Sequence, residues 1–180
     1  MESGNTFDGQ QWSDARRIYP MLPQVSPIQK CPSCGKYFFT EDAERRHATE
    51  GYCFDTGHLT YKELREAAKQ YGDELSPQNM ASLDMFLLWT FNDEYNREDM
   101  EIRQAPKEER DYVDTILDKL IDVFRDSDVF RAEYLRERGR FEEALELLEK
   151  CHPEDDYLVD IVEKTKSYAK ERNRIAFRIE

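Results

Sequence analysis

The sequence lacks the short motifs that mark common catalytic sites. It has no GxSxG nucleophile elbow, no glycine-rich phosphate loop, no dinucleotide-binding glycine pattern and no HExxH. Its 7 glycines stand apart from one another, so no glycine-rich loop is available to surround a phosphate. We therefore expect a protein that is not an enzyme, and the sequence identifies no small-molecule substrate.

Long hydrophobic runs and positive charge are also scarce. The longest apolar stretch, MFLLWTF at residues 85–91, is too short to span a bilayer, and residues 1–30 contain no signal-peptide core. The formal net charge is -13, divided as -2 over residues 1–60 and -11 over residues 61–180. Such a surface repels phosphate backbones and anionic lipids. The sequence predicts a cytoplasmic protein that binds no membrane and disfavours nucleic acid, with a protein partner, in particular a basic one.

Cysteine is sparse, and its distribution is uneven. Of the 4 cysteines, three lie within residues 31–53, where they form a CxxC pair and one more distant cysteine. This arrangement does not resemble a disulfide framework and suits a reducing compartment. Cys151 lies alone in a helical context, where a cysteine acts as a small buried hydrophobic residue.

Capping residues and prolines predict a mainly α-helical chain. Thr40 can cap a helix over residues 41–49, and Thr60 and Glu63 have capping-box spacing before a helix over 61–71. Ser76 and Pro77 begin the next helix, which runs to about residue 97. A further helix starts at Pro106, and residues 127–171 predict helix, Gly139 turn, helix, Pro153 and helix. The last residues alternate like a short strand or tail.

The predicted fold is a helical bundle with a small N-terminal ββα-like zinc module. Residues 1–30 contain three prolines between 20 and 27 and no helical or strand period, which predicts an extended arm. Residues 31–58 form the predicted zinc-knuckle module. Residues 59–180 form the predicted bundle, with a paired-helix motif at about residues 127–152.

The stretch CPSCGKYFFTEDAERRHATEGYC, residues 31–53, has the spacing of zinc ligands. Cys31 and Cys34 form a knuckle, His47 follows after twelve residues, and Cys53 follows after five more. The pattern C-x2-C-x12-H-x5-C resembles a CCHC zinc finger, and CPSCGKYF is similar to the first hairpin of ββα fingers. A site with four protein ligands is structural, because it leaves no open position for water.

Other interpretations of the CxxC pair remain open at this point. His58 is an alternative ligand to His47 or Cys53. The pair could instead serve as a thiol oxidoreductase centre, although the βαβ setting of thioredoxin-like proteins is absent, or it could be reduced and free of metal. As a nucleic-acid-binding finger, the chain would direct Thr40, Ala43 and Arg46 toward bases, and of these only Arg46 is a natural guanine reader.

The stretch FRAEYLRERGRFEEALELLEKCHPED resembles a tetratricopeptide helix pair. Ala132 and Leu135 occupy the first helix, Gly139 the turn, and Phe141, Ala144 and Leu148 the second helix. The CPSCGKYFF knuckle together with LRERGRFEEALELL resembles a family of uncharacterised bacterial cytosolic proteins, and this resemblance implies an organisation without an activity. We therefore expect a protein-interaction or scaffold protein with a structural zinc site.

Overall fold

A computed structural model describes residues 9–19, 25–41, 58–71, 74–99, 101, 103–153 and 156–179. Within these residues the chain is mainly helical, as predicted, with short strands near both ends. The helices are α1 Tyr61–Tyr71, α2 Pro77–Tyr95, α3 Lys107–Val123, α4 Asp128–Arg138, α5 Phe141–Leu148 and α6 Asp156–Lys170. The strands are β1 Gln10–Trp12, β2 Arg17–Ile18, β3 Ile28–Lys30, β4 Tyr37–Phe39 and β5 Arg178–Ile179.

The predicted helix starts at residues 60 and 76 are confirmed. The amide of Glu63 donates to Thr60 Oγ1 at 3.3 Å, and the amide of Thr60 donates to Glu63 Oε2 at 3.1 Å. These two bonds are the reciprocal pair of a capping box. The amide of Asn79 donates to Ser76 Oγ at 3.2 Å, which is the N-cap bond expected before Pro77. The helix predicted over residues 41–49 lies outside the described residues, apart from Glu41.

Contacts divide the chain into two compact units. The first consists of Met1–Pro23 and Leu88–Glu180, the second of Gln24–Leu87, and the division falls inside α2. The three-segment division expected from the sequence stays a prediction. In the first unit β5, near the C-terminal end, pairs with β1. The alternation of the last residues indicated a short strand or tail there, but the sequence gives no local signal for a partner at the far end of the chain.

The first unit contains a three-stranded sheet in the order β2-β1-β5. Both pairings are antiparallel, with Gln10 opposite Ile18 and Gln11 opposite Ile179. On the outer edge of β5, the Arg178 amide donates to Glu98 Oε1 at 2.7 Å and the Arg178 carbonyl accepts from Lys164 Nζ at 3.1 Å. Side chains thus satisfy an edge that would otherwise pair with another strand. Strands of two or three residues are too short to show the alternating period that predicts a strand. For this reason the sequence predicted an extended arm where the structure has β1 and β2.

Helices α3 to α6 pack in sequence, each against the next, and α4 also packs against α6. The buried face of α3 repeats every three or four residues and consists of Val113, Ile116, Leu117, Leu120 and Ile121. Ala132, Leu148 and Val162 bring α4, α5 and α6 together in one apolar cluster. Ile161 of α6 packs with Phe177 and Ile179, which holds β5 against the helices. No helix among the described residues has the length and hydrophobicity needed to cross a bilayer.

Candidate functional site

The CxxC pair lies in the turn of a β-hairpin. Strand β3 pairs with β4 so that Lys30 is opposite Tyr37, and the chain between them carries both cysteines. The Cys31 amide donates to the Lys36 carbonyl, and the Gly35 amide donates to the Cys31 carbonyl, each at 2.8 Å. Gly35 has φ +72°, a left-handed conformation that glycine adopts without steric cost. This turn is the hairpin predicted around the knuckle.

The turn favours the thiolate of Cys31. The pKa of this thiol is lowered, first by a hydrogen bond from the backbone amide of Cys34 and then by one from the amide of Ser33. Partial burial acts in the opposite direction but is the smaller effect. Cys34 is exposed at the tip of the turn. Because zinc binds thiolates rather than thiols, a sulfur that accepts backbone amides is suited to metal binding.

The hairpin is fixed to α1 by polar and aromatic contacts within the second unit. Lys30 Nζ donates to Glu63 Oε1 at 2.8 Å, and the Tyr37 hydroxyl donates to Glu66 Oε2 at 3.2 Å. The rings of Phe39 and Tyr71 meet edge to face, with centroids 5.6 Å apart. Three successive turns of α1 therefore hold the hairpin along its length, so the position of the knuckle is defined by a helix whose start is capped.

The other predicted ligands are not brought to the knuckle by the described residues. His47 and Cys53 lie outside them, and His58 is exposed. Across the part of the chain that the structure describes, no three His, Cys, Asp or Glu side chains gather as a metal-binding group. The two knuckle cysteines fit zinc by their chemistry and by the amides around Cys31, whereas the third and fourth ligands stay a prediction.

Of the three side chains that a nucleic-acid-binding finger would direct toward bases, Thr40 is the one that the structure describes. Its hydroxyl donates to the Ser26 carbonyl at 2.8 Å, and its amide donates to the Pro27 carbonyl. Both groups thus close the open end of the hairpin. Ala43 and Arg46 lie outside the described residues.

The predicted helix pair consists of α4 and α5 around Gly139. Gly139 has φ +88°, and the amides of Gly139 and Arg140 donate to the carbonyls of Arg136 and Leu135. These bonds satisfy the last carbonyls of α4 and turn the chain sharply, as a left-handed glycine cap does. The resemblance of this pair to a tetratricopeptide unit stays a prediction.

The first unit also contains charged side chains in its interior, which the sequence did not lead us to expect. We call Asp14, Asn92, Glu133, Arg136 and Glu137 the buried polar cluster; each has an exposed fraction of 2% or less. Asn92 connects Asp14 with Glu137, because its Nδ2 donates to Asp14 Oδ2 at 2.9 Å and to Glu137 Oε2 at 3.1 Å. Glu133 and Arg136 form a doubly hydrogen-bonded ion pair.

A signal for this cluster was present in α4. The spacing of Glu133, Arg136 and Glu137 places all three on one side of the helix, interrupting the apolar pattern on which the helix pair was predicted. The cluster includes no cysteine or histidine and is separate from the knuckle, which belongs to the other unit. Comparison of the chain with protein-family models, with curated proteins and with solved structures gave no match.

Proposed function

We propose that this chain is a non-enzymatic protein-interaction or scaffold protein whose CxxC hairpin forms part of a structural zinc site. The observation that carries the proposal is the closed hairpin turn that contains both cysteines, in which the Cys31 amide donates to the Lys36 carbonyl and the Gly35 amide to the Cys31 carbonyl. The lowered pKa of the Cys31 thiol, caused first by the Cys34 amide, agrees with it. Cys31 and Cys34 would supply two thiolates, and His47 and Cys53 the remaining ligands, with His58 as an alternative to either. Zinc held by four protein ligands would cross-link the hairpin to the following chain and perform no chemistry on a substrate.

The interaction half of the proposal rests on charge. Helix α5 and the residue that follows it expose four glutamates, within the part of the sequence that carries a net charge of -11: Glu142, Glu143, Glu146 and Glu149. Two of these carboxylates are paired, Glu142 with Arg172 and Glu143 with Arg140. A surface of this kind attracts a basic protein partner and repels nucleic acid.

Metal analysis tests the zinc site directly. We expect inductively coupled plasma mass spectrometry to find one zinc per chain in the wild type, and loss of that zinc in Cys31→Ser and His47→Ala. Cys151→Ser is the matched control, because Cys151 lies in the other unit and its thiol donates to the Leu147 carbonyl. Retention of zinc in Cys31→Ser, or wild-type protein free of metal, would contradict the proposal.

Charge reversal tests the partner surface. Proteins captured by the wild type should be lost from Glu146→Lys/Glu149→Lys and kept by Glu146→Gln/Glu149→Gln at moderate salt, since only the first variant repels a basic partner. Equal capture by all three would remove this surface from the proposal.

The lowered pKa of Cys31 favours a second candidate, a CxxC thiol oxidoreductase. In that reaction the Cys31 thiolate would attack one sulfur of a substrate disulfide and expel the other as a thiolate, which gives a mixed disulfide. Cys34 would then attack the Cys31 sulfur and release the second substrate thiol, so that the substrate is reduced and a Cys31–Cys34 disulfide is left. The hairpin setting argues against it, since redox pairs of this type begin a helix. Disulfide reductase activity that disappears in Cys31→Ser, together with absence of zinc in the wild type, would establish this candidate instead.

A further inference from the structure

The carboxyl group of Glu137 is buried without a cation of its own. Glu137 closes the last turn of α4 with 2% of its surface exposed. Its Oε2 accepts from Asn92 Nδ2 at 3.1 Å, and its Oε1 has no hydrogen-bond partner among the described residues. An ionised carboxylate in such a position has lost its water and gained a single neutral donor.

The arginines near Glu137 are engaged by other carboxylates. Arg136, on the same helix, donates to both oxygens of Glu133 at 2.8 and 2.5 Å. Arg174, from the segment before β5, donates through its Nη2 to Asp114 of α3. The Nε of Arg174 donates to the backbone carbonyl of Glu137, not to its carboxyl group.

Arg97 and Arg16 are paired with Asp14 and Asp93 rather than with Glu137. Arg97 donates to Asp93 Oδ1 at 2.5 Å and places Nη2 3.5 Å from Asp14 Oδ2, and Arg16 also pairs with Asp93. Arg97 and Arg16 thus balance Asp93 and Asp14, as Arg136 balances Glu133. Among the described carboxyl groups of this network, Glu137 is the one that is not paired with an arginine.

Asn92 connects Glu137 to the turn between β1 and β2. The same Nδ2 that donates to Glu137 donates to Asp14 Oδ2 at 2.9 Å. The backbone carbonyl of Asp14 accepts from Trp89 Nε1 at 2.9 Å and from the Tyr134 hydroxyl at 3.4 Å. A charge on Glu137 would therefore act on the residue through which the β1–β2 hairpin is attached to α2 and α4.

We propose that Glu137 is a buried proton-binding site that holds the β1–β2 hairpin, residues 10–18, against α4 while its carboxyl group is neutral. Ionisation places a second carboxylate opposite Asp14 across Asn92 and loosens the hairpin. Burial, followed by the charges of Glu133 and Asp14, raises the pKa of Glu137 well above its ordinary value, and these effects outweigh the charge of Arg136 and the hydrogen bond from Asn92, which lower it. This direction agrees with the geometry. The proposal does not depend on zinc, because the knuckle lies in the other unit.

Hydrogen exchange of the hairpin amides tests this inference. The Trp12 and Ser13 amides donate to the carbonyls of Arg16 and Phe177, so their protection reports attachment of the hairpin. In the wild type we expect protection, corrected for intrinsic exchange, to fall up to about tenfold per pH unit above the ordinary glutamate pKa, because opening releases the proton. Glu137→Gln should make this dependence shallower, since glutamine imitates the neutral acid and leaves only the contribution of Asp14, whose pKa burial also raises. Glu142→Gln, on the exposed face of α5, should behave as the wild type.

Tryptophan fluorescence and carboxyl NMR give independent readings. Both tryptophans of the chain adjoin the site, Trp89 on the Asp14 carbonyl and Trp12 under the guanidinium of Arg97 at 4.1 Å, so their emission should shift more with pH in the wild type than in Glu137→Gln. Carbon-13 NMR of labelled glutamate carboxyls should show one side chain that titrates well above the others and is absent from Glu137→Gln. Equal pH profiles in wild type and Glu137→Gln, ordinary titration of every glutamate, or failure of Glu137→Gln to fold would each overturn the proposal.

Discussion

Glu133 and Arg136, one turn apart on α4, form an ion pair from which water is excluded. Both side chains have an exposed fraction of 0%, and Arg136 Nε and Nη2 donate to the two carboxylate oxygens of Glu133. Thr165 of α6 donates its hydroxyl to Glu133 Oε2 at 3.3 Å, and Arg136 Nη1 donates to the Asn173 carbonyl at 2.5 Å. The pair therefore joins α4 to α6 and to the segment that leads into β5.

Glu133→Gln should destabilise the protein severely. Removing one partner leaves the Arg136 guanidinium charged and uncompensated in the interior, which costs about 3–5 kcal/mol. Urea unfolding followed by circular dichroism measures the loss. Glu142→Gln, in an exposed pair with Arg172, should change the free energy of unfolding by at most about 0.5 kcal/mol. A loss below about 1 kcal/mol for Glu133→Gln would mean that the interior around Arg136 is hydrated or adjusts to the change.

The stability of the protein should decrease as the pH rises above that of ordinary carboxyl titration. Burial raises the pKa of both Glu137 and Asp14 in the folded chain, whereas in the unfolded chain they ionise near 4.5 and 3.8. Above those values folding requires a proton that the unfolded chain has lost. The free energy of unfolding then falls by up to about 1.4 kcal/mol per pH unit for each group that stays protonated.

Glu63 and Glu143 have the opposite effect on the pH dependence of stability, and they act at lower pH. Their pKa values are lowered, by hydrogen bonds from Lys30 and Arg140 respectively, so their contribution is present above the ordinary glutamate pKa and is lost as the pH falls below it. Urea unfolding between about pH 5 and pH 8 therefore isolates the buried carboxyls. Glu137→Gln should give the shallower slope. A wild-type stability that is flat or rising in this range would contradict the prediction.

The sequence predicted the helices of this protein better than its polar interior. Capping residues, prolines and the spacing of apolar residues are local, so the starts of α1 and α2 and the buried face of α3 could be found from them. Asp14 and Glu137 are both bonded to Asn92, which lies 78 and 45 residues away from them respectively. The spacing of charges in α4 marks one side of the helix but does not show that this side is buried or which residues face it. For the same reason the pairing of β1 with β5 could not be predicted.

Ala15→Gly should stabilise the turn between β1 and β2. Ala15 has φ 65°, in the left-handed region, where a side chain costs about 1–2 kcal/mol and glycine is unstrained. After the greater entropy of glycine in the unfolded chain is subtracted, a net gain of about 0.5–1 kcal/mol remains. The same substitution at Ala144, buried within α5, is the control and should cost about 1 kcal/mol or more. Destabilisation by Ala15→Gly would show that the turn carries no strain.

Thr60→Ala should weaken the attachment of the knuckle hairpin as well as the start of α1. The substitution removes a hydroxyl that accepts from the Glu63 amide and donates to Glu63 Oε2, which costs about 0.5–2 kcal/mol. Because Glu63 also accepts from Lys30, disorder of its side chain should lower the protection of the hairpin amides in hydrogen exchange. Thr60→Ser keeps the cap and is the control. Unchanged protection of the hairpin amides in Thr60→Ala would show that the helix cap does not contribute to the attachment of the hairpin.

Of the candidate metal site, only the CxxC turn, which is formed by neighbouring residues, could be predicted from the sequence. The CxxC turn depends on Gly35 and on bonds between neighbouring residues, so its hairpin followed from the sequence. The contacts that orient it, from Lys30 to Glu63 and from Tyr37 to Glu66, join residues 33 and 29 positions apart and left no pattern that could be recognised.

Removal of the zinc proposed for the knuckle should loosen the turn selectively. Zinc bound to Cys31 and Cys34 would hold the two sulfurs together, so the turn loses this cross-link when the metal is removed. After treatment with a strong chelator we expect the Cys31 and Gly35 amides, which donate across the turn, to exchange faster, while those inside α4 stay protected. Cys31→Ser should show the faster exchange without a chelator, and Cys151→Ser should match the wild type. If the Cys31 and Gly35 amides exchange at the same rate after verified loss of metal, the zinc is not what closes the turn, and hydrogen bonds alone account for the hairpin.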